Sequence, residues 1–196
     1  MAATSLHLAQ DPESDKVISE QPLALLIGMV LDQQITIEKA FSSPAELSRR
    51  LGARLDAKAI AAADPGEFAT AFKERPALHR FPGSMAARVQ DLCRAIAEEY
   101  GGKAENIWKG VGTGEELVGR LRALPGFGEQ KAKIFAALLG KQLGVHPTGW
   151  RDATTPYGDE GSHLSVADIT DPKSLEKVRA TKRAAKAKAS ARAAHA

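Results

Sequence analysis

At 196 residues the chain has room for one domain or two small lobes, and a hydrophobic content of 43% supplies a buried core. A single cysteine, Cys93, excludes an internal disulfide and any four-cysteine zinc or iron–sulfur site, and no run approaches the ~20 apolar residues of a membrane span. The net charge of +3 is uneven: residues 173–196 carry eight basic side chains and one acid (+7), against 19 basic and 23 acidic residues elsewhere (−4). A polyanionic partner would be met through local patches and this tail.

In chain order, residues 1–20 are polar and are expected at the periphery. Gln21-Pro22 opens the apolar run 23–31, hydrophobic nearly all round, which predicts a buried central helix ending in Asp32-Gln33-Gln34. Residues 37–41 read as a short helix. Pro44 can start another through Leu47 and Leu51, which Gly52 closes. Asp56 and Asp64-Pro65 cap two further short helices.

Ser84 reads as the N-cap of a helix over 85–100, with Val89, Leu92, Cys93 and Ile96 at helical spacing and Gly101-Gly102 as its end. Residues 115–122 form a helix with acids in its first turn. Leu124-Pro125-Gly126-Phe127-Gly128 follows, then a helix over 129–139 that Gly140 stops. Residues 146–162, with two prolines and three glycines, read as a long ordered loop. Asp171-Pro172 caps the last helix, which runs into the tail. No alternating strand pattern occurs, so the expected fold is all-α. The expected organisation is one compact domain over 1–172 and a basic Ala/Lys-rich tail over 173–196.

The most specific signal lies in residues 115–140: helix, tight turn with two glycines one residue apart, helix. Gly126 and Gly128 let the backbone turn sharply and approach a ligand closely. The turn amides and those opening the next helix are then free donors, and the positive end of the helix dipole attracts an anion. Lys131 and Lys133 add cationic groups. One phosphate would satisfy such a site. The five histidines are scattered without metal-ligand spacing and read as surface or locally bonded side chains.

Three segments in order resemble the helix-hairpin-helix/Gly-Pro-Asp superfamily, which includes endonuclease III, adenine DNA glycosylase and the 3-methyladenine glycosylases. Residues 25–34 (LLIGMVLDQQ) resemble its buried helix running into a Gln-Gln turn. Residues 86–102 resemble the helix that ends in Gly before the hairpin, and residues 124–132 resemble the hairpin. The resemblance implies a two-lobed helical fold that binds double-stranded DNA across a cleft, flips a damaged base and cleaves its N-glycosidic bond. It implies DNA contacts from Leu124, Pro125, Gly126, Phe127, Gly128, Gln130, Lys131 and Lys133, and a gap-filling role for Gln33 or Gln34, each of which could equally cap the apolar helix. A monovalent cation at the hairpin also belongs to the resemblance. A monomer, cytoplasmic and nucleoid-associated, is expected, because the N-terminus shows no basic stretch ahead of an apolar one.

Some features depart from the family. Bifunctional members carry a lysine two residues after the second hairpin glycine. Gln130 stands there, and Lys131, about 100° round the helix, is expected to face elsewhere, so no lyase activity is expected. The iron–sulfur cluster of some members is excluded by the cysteine count, and no other cofactor is expected. The family's catalytic aspartate has no clear counterpart; the nearest acid is Asp152 in Gly149-Trp150-Arg151-Asp152, four residues late. Asp152 is the candidate catalytic residue of a monofunctional glycosylase, with Trp150 as shield or stacking partner and Arg151 as a phosphate contact. The alternative is a catalytically silent lesion- or structure-binding protein of the same fold.

Overall fold

The computed structural model describes residues 5–194. Its α-helices are α1 (Pro12–Glu20), α2 (Pro22–Leu31), α3 (Ile37–Leu51), α4 (Ala57–Ala62), α5 (Pro65–Lys73), α6 (Pro82–Glu99), α7 (Gly114–Arg122), α8 (Glu129–Leu143), α9 (Trp150–Thr154) and α10 (Pro172–Ala194), with 3₁₀ turns at Ala104–Ile107 and Val166–Asp168. Among these residues the only β pairing is one parallel bridge, Thr113 to Thr148. The fold is all-α, as the absence of strand periodicity required.

Two lobes share the chain. In the first, α1 and α3 flank α2, and α4 and α5 pack on α6. The expected central helix is α2: every residue from position 23 to 31 is buried. Gly28 is needed for packing, since a Cβ there would lie 2.6 Å from the Phe41 ring. The N-terminal segment is not peripheral. Leu6, Leu8 and Ile18 are core residues, and the Asp15 carboxylate accepts the Ala9 amide at 2.7 Å, tying the incoming chain to α1. Burial raises the Asp15 pKa above its ordinary value.

Three boundaries differ from the sequence-based expectation. Residues 37–51 form one helix that runs through Pro44. The Ser43 hydroxyl lies 2.7 Å from the Lys39 carbonyl and 2.9 Å from the Leu78 carbonyl and shares its one proton between them, while Pro44 leaves the helix one backbone donor short. Next, α6 starts at Pro82, so Ser84 lies inside the first turn with its hydroxyl on the Phe81 carbonyl. Finally, α8 runs past Gly140 to a left-handed cap at Gly144. Gly140 is there for contact, because a Cβ would sit 2.4 Å from the Trp150 indole.

The second lobe is built on α7 and α8, with α9 across both. The stretch expected as a long loop holds α9, and its Trp150 is buried against Gly140 and stacked on His146. Lys141 pairs with the buried Asp168 at 2.6 Å, and Gln142 donates to the Ala167 and Ile169 carbonyls, fastening the Val166–Asp168 turn to α8. The last helix begins one residue before the boundary drawn for the tail. Its first turns are anchored by buried Leu175 and Val178 and by an ion pair from Arg179 to Glu38 on α3. From Lys182 to Lys188 its side chains are exposed. Among the described residues no helix is long and apolar enough to cross a membrane.

Candidate DNA-binding face and cleft

The hairpin between α7 and α8 is held from inside. Leu124 and Phe127 are buried, the Phe127 amide donates to the Leu124 carbonyl at 3.0 Å, and the Phe127 ring stands edge-on to Phe135 at 5.7 Å. Pro125 sits half-buried between these anchors. Gly126 alone of the two glycines needs its conformational freedom, with φ +85° and Arg88 and Val30 closely packed where a Cβ would be. Gly128 has φ −89°, open to any residue, and nothing lies within 4 Å of its Cβ position. Its lack of a side chain therefore leaves room outside the backbone.

The amides of Gly126, Gly128, Glu129 and Gln130 find no acceptor among the described residues, and α8 has no side-chain cap. Four donors at the positive end of a 15-residue helix make an anion site. The Leu121 and Leu124 carbonyls already accept turn amides. The outward amides thus fit a phosphate.

The Gln33-Gln34 turn lies on the same face, since Arg88 packs on Gly126 and reaches to 3.5 Å from the Gln33 side-chain oxygen. The two glutamines are not equivalent. Gln33 is fixed: its Nε2 donates to the Val30 carbonyl at 2.9 Å and its own carbonyl lies 2.9 Å from His79 Nε2. The Phe81 amide donates to His79 Nδ1, so the imidazole proton sits on Nε2 and points at Gln33. Gln34 is exposed at the tip with φ +57°, an uncommon backbone for a residue with a side chain.

Beside the hairpin, the end of α2, the start of α8, the segment after α9 and the middle of α10 enclose a cavity of about 460 Å³. Asp32, Gln130, Lys131, Tyr157 and, at the rim, Lys182 supply its polar groups; Met29, Ile134, Pro156 and Leu164 supply apolar walls. Lys131 does not face elsewhere on the helix, as its one-residue offset suggested. It turns into this cleft, with Nζ donating to the Val30 carbonyl at 3.1 Å. Burial pulls its pKa down to about 8, with Asp32 opposing and the like charge of Arg88 adding to the fall. Burial raises the Asp32 pKa above the usual carboxylate range against the pull of Lys182 and Lys131. Gln130 donates from Nε2 to the Tyr157 hydroxyl at 2.8 Å. Lys133 turns the other way and pairs with Glu129 at 3.2 Å on the outer surface of α8.

Asp152 is not brought to the cleft. It lies exposed on α9, and neither it, Trp150 nor Arg151 lines the cavity. Trp150 belongs to the packing of the second lobe. Arg151 is occupied, donating to the Gly158 carbonyl at 2.7 Å and pairing with Glu160. The cause is the turn Gly149 makes with φ +68°: it opens α9 with the indole inward and the carboxylate outward. The cleft carboxylate, Asp32, comes instead from the end of the apolar helix. Its signal was available in the sequence as an ionisable residue closing a fully buried segment. Tyr157 and Lys182 carry no comparable signal. Among the described residues no cluster of His, Cys, Asp or Glu could hold a metal, and Cys93 is buried with its thiol pushed up to about 12.

A helical two-lobed fold with an anion-ready hairpin beside an ionisable cleft defines a DNA-binding protein of the repair type. The chain belongs to the HhH-GPD superfamily of base excision DNA repair proteins, whose family model covers residues 27–195 and so takes in the second half of α2, the hairpin, the cleft and all of α10. No curated protein matches it in sequence.

Proposed function

We propose that the protein is a monofunctional DNA N-glycosylase acting on double-stranded DNA as a monomer. The observation that carries the reading is Asp32, a half-buried carboxylate in a cavity large enough for a nucleobase and beside a row of unpaired hairpin amides. The amides of Gly128, Glu129 and Gln130 bind one backbone phosphate and set the register of the duplex without reading its sequence. Gln34 enters the gap left by the extruded nucleotide, while Gln33, already bonded on both sides, holds the turn. Extrusion costs a few kcal/mol, least for a damaged or mismatched base.

Cleavage of the N-glycosidic bond builds positive charge at the sugar carbon. The Asp32 carboxylate stabilises that charge and accepts a proton from the attacking water. Water is the nucleophile, so no cofactor is required. Gln130 has no amine to form a Schiff base, and the Lys131 ammonium donates to the Val30 carbonyl and lies in the field of Asp32. Borohydride treatment of the protein on an abasic duplex is expected to trap no adduct, and a covalent complex at Lys131 would replace hydrolysis with a lyase step.

The exposed position of Asp152, in the segment where the family resemblance seeks its carboxylate, favours a second reading as a silent lesion binder. A panel of duplexes, each carrying one damaged base, separates the two. Incubation with the protein, then heat and alkali, cuts the strand wherever a base has been released. Release from at least one duplex supports the glycosylase; binding without release from any supports the silent binder.

A further inference from the structure

The cleft holds one carboxylate and two lysines, and this imbalance bears on which bases it can release. With all three ionised, Asp32, Lys131 and Lys182 sum to +1, and Arg88 stands near enough to act on Lys131. A base already carrying a positive charge, as ring-alkylated purines do, is repelled by this field. It also needs no help in leaving, because it departs neutral. An uncharged base departs with both electrons of the broken bond and becomes an anion unless it is protonated.

Resting on the glycosylase reading above, we infer that the cleft is built for uncharged damaged bases and that the Lys131 ammonium protonates the departing base. The bond between C1′ and the base nitrogen breaks, and its electron pair stays on the base. Lys131 gives that base a proton. Water adds its oxygen to C1′ and gives a proton to Asp32. The proton then passes from Asp32 to the neutral Lys131 amine, which restores both groups.

The geometry suits the relay. Lys131 and Asp32 line one cavity, each within the other's field, and only one of the three Lys131 N–H donors is committed, to the Val30 carbonyl, among the described residues. Burial keeps the ammonium near its point of release, with a pKa of about 8. The Tyr157 hydroxyl already accepts from Gln130, so its own proton and the Gln130 carbonyl remain as a donor and an acceptor for the base edge.

The test uses the full chain on two sets of duplexes, one carrying uracil, hypoxanthine or 8-oxoguanine, the other 7-methylguanine or 3-methyladenine, with single-turnover release measured from pH 6 to 10. At least one uncharged base is expected to be released at least ~10-fold faster than either cationic one. Its rate should fall above pH ~8 as Lys131 loses its proton to solvent; the groups facing Lys131 are Asp32 from α2, Arg88 from α6, Lys182 from α10 and Tyr157. In Lys131→Met the rate should drop ~10²-fold and lose that limb. Lys131→Arg keeps the charge but holds its proton too tightly, and is expected to restore binding without restoring the rate. Release of cationic bases alone, or a Lys131→Met rate equal to wild type, overturns the inference and leaves the glycosylase standing. Should Lys131→Met not fold, the wild-type preference between the two sets decides. Release from neither set overturns the glycosylase reading itself.

Discussion

The hairpin and the cleft beside it are made from opposite materials. The hairpin presents backbone: four amides from consecutive or near-consecutive residues, positioned by a turn that Leu124, Phe127 and Gly126 close from within. The cleft presents side chains from α2, α8, the segment after α9 and α10, residues that lie up to 150 positions apart in the chain, from Asp32 to Lys182. A backbone site tolerates most changes of side chain and binds any phosphate. A side-chain site fails with one substitution and can choose its substrate. The difference assigns grip to the first region and chemistry to the second.

The largest expected effect breaks the chemistry and spares the grip. Asp32→Asn keeps the shape and removes the charge, so base release should fall on the order of 10³-fold while affinity for the same duplex stays within about twofold. In the hairpin, Gly126→Val must place a β-branched residue at φ +85° against Arg88 and Val30. It should lower the melting temperature as well as DNA affinity, since strain of this kind costs ~1–3 kcal/mol.

Gly128→Val is the cleaner break. Its backbone is unstrained and its surroundings open, so the melting temperature should hold while affinity for all duplexes drops together by ~10-fold. Ending the chain after Arg179 keeps the Glu38 ion pair and the buried Leu175 and Val178 but removes Lys182 and the exposed basic turns beyond it. Fluorescence titrations at several salt concentrations should then give a shallower slope of log affinity against log salt, by ~0.9 for each phosphate no longer neutralised. An unchanged slope would take α10 off the DNA. The smallest effect is expected at Asp152→Asn, with release and affinity both within about twofold of wild type. A large loss there would return catalysis to α9.

The two regions also differ in how far the sequence discloses them. The hairpin is local, and its turn glycines, flanking helices and buried Leu124 and Phe127 stand together in one short segment. The all-helical fold, the buried α2 and the Asp56 and Asp64 caps are equally local and were readable from periodicity and composition. What escaped depends on tertiary contact. Gly140 reads as a stop signal, yet it is a notch for Trp150, and Pro44 reads as a start, yet α3 runs through it. The orientation of Lys131 follows from the Val30 carbonyl, 101 positions away. A one-residue offset on a helix says which way a side chain leaves the axis but not which neighbour stands there. Asp152 is a case of the same kind: it stood out as the nearest acid after the hairpin although four residues late, and the turn at Gly149 decides which side of α9 faces in.

The division between grip and chemistry is tested most directly by single-turnover base release measured against protein concentration for wild type, Gly128→Val and Asp32→Asn on one duplex that the wild type cleaves. The account predicts that Gly128→Val moves the half-saturating concentration upward and reaches the wild-type plateau. It predicts that Asp32→Asn keeps the half-saturating concentration and lowers the plateau by orders of magnitude. A fallen plateau in Gly128→Val, or a wild-type plateau in Asp32→Asn, would contradict it.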